Sequence, residues 1–557
     1  MAQRIDRFLV IADSDKTVRS LACGVLMGFL KNELHAEAVL AHAAPEGGPE
    51  QAALVRLSVD PDAEMAHSVD KPDTVEAEEF HIRANDEAGL PRIDISARAE
   101  AGLLYGVEEA MAQFRLHRGF PVIDKTFSPA WAVRGMKGLH WNPQDYLSVL
   151  DFLPSCKFNY LMLCYGMTPE HCRRFRDPYS EEHREAIARI VQGCKERFVT
   201  VCVAVNPSLR SVPPARYSGD EDLQIVVDKL RASYDLGVRH FTLALDDISL
   251  DLQRSEDRAT YRNLGEAHVD FTKRLRDALL AIDSDNRLTL CPTTYFTNHA
   301  RAYPDYARAI AEGVPDDVEL FWTGPDWNSV SVTYEDACEY AELAGRKPFL
   351  WLNYPVNDYL RPQPWRLVLA PTTMRCTRLP NAVTGVIANP MRQVEASKLP
   401  LWSIGRYCWD PAAYDPEASL EEACAVVAAE HNGSAEILYA IVAAYVGAYN
   451  PLMDLASALT NATPCALRQM EERLQQAART IRQLLPALKA ELGEVRLYNE
   501  LKEGFGRFCN FADAFTAWRC TVRLSDEAQR HDLSDEALAD ASSFARLSKG
   551  LFGTIGL

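Results

Sequence analysis

Redox and metal-binding signatures are missing from this chain. Its 14 cysteines are scattered, no C-x-x-C pair occurs, and the 13 histidines form no H-E-x-x-H helix or zinc-type cluster. Metal chemistry has no support in that pattern, and no cofactor is expected. Cysteines such as Cys164, Cys202 and Cys291, in or beside apolar stretches, read as reduced thiols rather than a disulfide framework. Long apolar runs are absent too. No segment reaches the roughly 20 apolar residues of a membrane span. The N-terminal run Phe8-Leu-Val-Ile-Ala12 is cut short by Asp13, Asp15 and Lys16, which makes a poor signal peptide. No membrane partner is expected, and the expected address is the cytoplasm. Basic residues are few: 59 Lys and Arg against 78 Asp and Glu leave a formal charge of −19. Phosphate binding needs clustered cations, so a nucleic-acid partner is not expected.

What is present is the composition of a soluble globular protein, 47% hydrophobic and 25% charged over 557 residues. That length implies several domains. Residues 1–127 read as a small α/β domain. Short alternating strands at 80–83 and 92–96 lead into residues 98–111, which carry helical spacing at Leu104, Val107, Ala110 and Met111 and include an A-G-x-x-Y-G string at 101–106 that reads as a turn before the helix. Residues 128–415 alternate apolar strands with amphipathic helices. Candidate strands lie at 133–138, 160–163, 199–205, 240–245, 287–291, 318–322, 348–352 and 384–388, with the clearest helix at 221–236. Eight strands separated by helices fit a (β/α)8 TIM barrel. A doubly wound sheet also alternates in this way. Residues 416–557 read as a C-terminal helical bundle, with helices at 434–449 and 467–492 and turns marked by Pro451 and Pro464. Ala-rich faces there fit either a homodimer or a cover over the barrel.

The working face of such a barrel is the C-terminal end of its strands. Five consecutive candidate strands end in hydrogen-bonding side chains there. The fourth runs into Asp246-Asp247, the fifth into Tyr295, the sixth into Thr323, the seventh into Trp351, Asn353 and Asp358, and the eighth into Asn389. Aromatic rings among paired donors and acceptors suit a carbohydrate, whose hydroxyls need partners and whose ring stacks on Trp or Tyr. Glycoside cleavage needs one carboxylic acid to protonate the leaving oxygen and a second group to stabilise charge at the anomeric carbon. Successive residues on extended backbone point apart, so Asp246 and Asp247 can share a ligand only if the strand end bends. Their repulsion raises one pKa, and spacing alone leaves open which.

These residues resemble glycoside hydrolase family 84, the retaining β-N-acetylglucosaminidases. The matching strings, in order, are K-F-N at 157–159, F-R-D-P-Y at 175–179, G-V-R-H-F-T-L-A-L-D-D-I at 237–248, P-T-T-Y at 292–295, W-T-G-P at 322–325, N-Y-P-V-N-D at 353–358 and N-P-M-R-Q-V-E-A-S-K at 389–398. Segment 80–125 also resembles the small domain that precedes the barrel in many exo-hexosaminidases. The resemblance implies that Asp246 orients the substrate's 2-acetamido group, whose oxygen attacks C1 to form an oxazoline, and that Asp247 is the general acid and then base. It further implies that Tyr295, Thr323, Trp351 and Asn353 surround the acetamido group, that Asp358 and Asn389 bind distal hydroxyls, and that Gly135 contributes backbone contact. Two strings depart from the family. Gly135-Met-Lys-Gly-Leu-His-Trp141 replaces G-F-Y-G-x-P-W, and Gly166 stands where the family has a sugar-binding lysine. Lys137 or His140 could refill that corner, and Lys137 is taken as a substrate-binding candidate. The alternatives are a same-fold glycosidase with altered sugar preference and a non-hydrolytic glycan-binding protein.

Overall fold

The computed structural model describes residues 7–42, 52–59, 75–87, 90–119, 121–329, 331–359, 366–448 and 463–530. They form two compact units, of which the larger holds the N-terminal sheet and most of the barrel.

The sheet has six strands: β1 (Arg7–Ala12), β2 (Glu37–Ala41), β3 (Ala53–Val59), β4 (Phe80–Glu87), β5 (Leu90–Ala97) and β6 (Ile123–Phe127). Their order is β2-β1-β3-β5-β4-β6, parallel except where β4 runs antiparallel to β5 and β6. The apolar run at 8–12 is therefore an interior strand, buried at every position after Arg7. The A-G-x-x-Y-G string is not a turn. It forms the opening turns of a helix, Glu100–His117, which presses onto the sheet. Its second glycine permits that approach, because a Cβ at Gly106 would lie 2.6 Å from Ile95.

Eight parallel strands then close into a barrel in sequence order: β7 (Arg134–Lys137), β8 (Tyr160–Leu163), β9 (Thr200–Val205), β10 (His240–Ala244), β11 (Arg287–Cys291), β12 (Glu319–Trp322), β13 (Phe349–Pro355) and β14 (Val386–Asn389). Each matches an expected strand to within three residues at either end, so closure excludes the doubly wound sheet. Tyr160, Met162, Cys202, Ala204, Ala244, Cys291, Phe321 and Ile387 fill one buried cluster. Among the described residues the cysteines are free thiols.

A buried ionic joint fixes the helix 100–117 and its sheet against the lower ends of β7 and β8. Arg134 donates to Glu78 at 2.7 Å, and Asn159 donates to the other Glu78 oxygen at 2.9 Å. Beside them, Glu109 accepts from Lys157 at 2.6 Å and pairs with Arg406. Burial opposes the Glu109 charge, yet the two cations outweigh it and hold the carboxyl below the usual range. The K-F-N string is thus explained by this joint and lies outside the barrel mouth.

The second unit contains helices Ala435–Ala448 and Pro464–Leu492 and the first residues of Arg496–Arg530, packed through Ile441, Tyr445, Leu474, Ile481, Leu501, Phe505 and Phe508. Pro464 opens its helix, where a missing N–H costs nothing, and Pro451 lies outside the described residues. Among the described residues no helix is long and apolar enough to cross a membrane.

Removing one member of a buried ion pair strands its partner, at a cost of about 3–5 kcal/mol. Glu109→Ala is expected to lose that much in chemical denaturation. A loss below ~1 kcal/mol would show that the joint contributes little.

Candidate active site

The carboxylate pair follows β10 directly, and its backbone is pinned on the β11 side. Leu245 N–H donates to the Cys291 carbonyl at 2.8 Å, while the Thr293 hydroxyl donates to the Leu245 carbonyl at 2.7 Å. Asp247 then adopts a left-handed conformation, φ 55°. Aspartate is among the few residues that enter this region readily. This is the bend that two neighbouring side chains need if they are to serve one ligand.

The two carboxylates end in different surroundings. Asp246 is only 5% exposed. Its Oδ2 accepts from the Tyr165 hydroxyl at 2.6 Å, and its Oδ1 accepts from Asn206 Nδ2 at 3.3 Å. Asp247 is exposed, and its Oδ1 accepts from the Tyr295 hydroxyl at 3.0 Å. Burial first, and then Asp247, push the Asp246 carboxyl up to about 6; the Tyr165 bond and the Lys137 cation pull it back. Burial and both carboxylates raise the Tyr165 and Tyr295 phenols, so each stays a donor.

Tyr165 and Asn206 were not among the expected site residues. Each is the polar residue just past an apolar strand end, Tyr165 after β8 and Asn206 after β9. The signal was the same one that exposed the polar ends of β10 to β14.

On the far side of the barrel mouth, Trp351 Nε1 and Asn389 Nδ2 both donate to Asn353 Oδ1 at 3.0 Å. Asn353 Nδ2 donates in turn to the Trp327 carbonyl at 2.5 Å. Asn389 is buried and, among the described residues, its Oδ1 has no partner. An acceptor left in that state costs free energy that a ligand hydroxyl could recover. Thr323 donates its hydroxyl proton to the Asp326 carbonyl at 3.0 Å, and its N–H to the Tyr295 carbonyl at 3.0 Å. Its observed bonds therefore hold the loop that carries Tyr295. Gly135 is buried in β7, opposite Tyr160. Asp358 belongs to the second unit, half-buried in the turn after β13.

Lys137 is fully buried at the end of β7, its Nζ 3.2 Å from the centre of the Trp351 ring and 5.8 Å from that of Tyr165. An ammonium at that distance from an indole is a strong cation–π contact. Gly166 cannot be exchanged for the family lysine without moving the chain, because a Cβ there would lie 1.9 Å from the Leu139 carbonyl oxygen. The cation on this side of the mouth is therefore carried by β7.

Among the described residues, one group has metal-ligand spacing: Glu395, Glu430 and His431 in the second unit. The Lys398 ammonium bridges its carboxylates at 2.8 and 2.6 Å, so these residues form an ion-pair network.

A family model described as beta-N-acetylglucosaminidase matches residues 132–441. Two curated relatives are similar to this chain: the Protein O-GlcNAcase of Rattus norvegicus, 24% identical over 278 residues, and that of Mus musculus, 25% identical over 280. Each match covers 49% of this chain and 29% of the relative, so this chain spans under a third of those proteins. Solved structures share the fold. An O-GlcNAc hydrolase mutant from Thermobaculum terrenum aligns over 74% of this chain and 88% of its own, at 24% identity and TM-score 0.59. CpGH84B aligns over 98% of this chain and 93% of its own, at 21% identity and TM-score 0.64. The family's pattern runs over more than half of the chain and its strands build the same closed barrel, so this chain belongs to the beta-N-acetylglucosaminidase family, glycoside hydrolase family 84.

Proposed function

We propose that the chain is a retaining exo-β-N-acetylglucosaminidase that uses the substrate's own amide as nucleophile. The observation that carries this reading is the division between Asp246, buried and held by two donors, and Asp247, exposed and held by one tyrosine. With its carboxyl at about 6, Asp246 is mainly anionic at pH 7. An oriented anion accepts the acetamido N–H and increases the charge on the amide oxygen. That oxygen attacks C1, the C1–O bond breaks, and Asp247 gives its proton to the leaving oxygen. Asp247 then takes a proton from water as the water opens the oxazoline and restores the β-configuration. Its exposure lets it exchange protons with solvent between turnovers.

In this reading Tyr295, Trp351 and Asn353 enclose the acetamido group, with Thr323 holding the Tyr295 loop. Asn389 serves the distal hydroxyls, and Gly135 lines the floor. No side-chain nucleophile or metal is used. A second reading, altered sugar preference, is favoured by one observation: the Lys137 ammonium lies on the Trp351 ring while position 166 has no room for a side chain. A panel of aryl glycosides differing at C2 and C4 separates the two readings.

Leaving-group dependence tests the roles of the pair. Asp247→Ala is expected to reduce kcat/KM by about 10²–10⁴-fold on a poor leaving group such as an alkyl N-acetyl-β-glucosaminide. On a dinitrophenyl glycoside, which needs no proton, the loss should be far smaller. Asp246→Ala should lower both. Equal losses across leaving groups for Asp247→Ala would remove its role as acid.

The pH profile supplies a separate check. Below about 6 Asp246 gains a proton and loses the charge its role requires, so the acid limb of kcat/KM should fall near that value. Lys137 favours the anion, so Lys137→Met should move that limb to higher pH. A limb that stays in place or moves to lower pH would contradict the coupling.

A further inference from the structure

A cavity of about 240 Å³ opens beside Asp247, away from Asp246 and the Trp351 wall, between the loops that follow β9 and β10. None of the residues assigned to the sugar above lines it except Asp247. Its apolar lining includes Leu209, Ile248 and Leu264, and its polar lining includes Ser208, Arg210, Ser249, Asp251 and Gln253 besides Asp247. Arg210 is exposed and held in the left-handed region at φ 57°. Among the described residues, neither the Arg210 guanidinium nor the Asp251 carboxylate has a hydrogen-bond or ion-pair partner. By contrast, Ser208 shares a 2.7 Å hydrogen bond with Tyr217.

We infer that this cavity is the subsite for the departing group, and that it takes a neutral, hydroxylated, monosaccharide-sized aglycone. The inference rests on the hydrolase reading of Asp247, whose proton must go to an oxygen lying on this side. The size suits one ring, since pockets for drug-sized ligands start at about 300 Å³. The charges do not select an anionic group: beside the proton-carrying Asp247, the lining holds one cation, Arg210, and one further carboxylate, Asp251, which offset each other. The Arg210 guanidinium and the Asp251 carboxylate, on the two loops that border the cavity, offer five donors and several acceptors. Hydroxyls on one ring can engage both. The three aliphatic side chains would face the ring's C–H surface. A polypeptide aglycone instead extends to either side of its serine or threonine and needs an open cleft.

The test compares three probes on the purified full chain. N-acetyl-β-glucosaminyl fluoride loses only fluoride and so does not use the subsite. Four disaccharides carry N-acetylglucosamine β-linked to O2, O3, O4 or O6 of glucose, and a serine-linked N-acetylglucosaminyl peptide represents a protein aglycone. The best disaccharide should exceed the peptide at least tenfold in kcat/KM. Ser249→Trp, which fills the cavity, and Arg210→Ala should each lower the disaccharide-to-fluoride ratio of kcat/KM at least tenfold, with fluoride turnover reporting that the variant is folded. Preference for the peptide over all four disaccharides would overturn the proposal, as would ratios that neither variant moves. An inert fluoride in the wild type would instead remove the hydrolase reading, and the subsite with it.

Discussion

The site depends on one left-handed residue. On a continued strand, Asp246 and Asp247 would point to opposite faces and could not share a ligand. At Asp247 the chain turns out of the strand, at a cost of about 1–2 kcal/mol for a residue with a Cβ. The flanking bonds from Leu245 to Cys291 and from Thr293 to Leu245 leave the backbone little freedom to relax. The turn separates the pair by environment as well as direction. One carboxylate is withdrawn from water against Tyr165 and Asn206, and the other is left at the surface with Tyr295. Two identical side chains thereby come to lie in different surroundings, one buried and one exposed.

Elements remote from the chemistry hold that geometry in place. Tyr165, which orients Asp246, stands two residues beyond the end of β8. The lower end of β8 is anchored by Asn159 to Glu78, and the preceding Lys157 by its pair with Glu109. β8 thus joins, at its two ends, the ionic joint with the N-terminal domain and the hydroxyl that contacts the buried carboxylate. In the second unit the E-A-S-K string plays a comparable structural part: Glu395 and Lys398 form an ion pair with Glu430, and Ser397 accepts from the Met391 N–H.

Much of this was legible before any coordinates. Eight apolar strands spaced by helices gave the barrel, because burial on both faces leaves a continuous hydrophobic signature. Carboxylates directly after a strand gave Asp246 and Asp247, because barrel topology gathers all strand ends at one mouth. Tyr165 and Asn206 carried the same signal and were passed over, since one tyrosine or asparagine after a strand is commonplace until its partner is known. In the helix at 100–117, the glycines look like turn formers in sequence and prove to be points of close helix–sheet contact. The division of burial between the two aspartates could not be read, because it arises from φ at one residue and from side chains about 40 and 80 positions away. Nor could the location of Lys137, since a cation lying on an indole leaves no periodicity behind.

The central claim is that a substrate amide, oriented by an anionic Asp246, is the nucleophile. Graded fluorination of the acetamido methyl tests it most directly, because each fluorine withdraws charge from the attacking oxygen while changing the shape little. With mono-, di- and trifluoroacetamido aryl glycosides, log kcat should fall steadily with fluorine content, and the slope should flatten in Asp246→Ala. A wild-type rate indifferent to fluorination would mean that the amide does not attack, and the paired roles of Asp246 and Asp247 would have to be replaced.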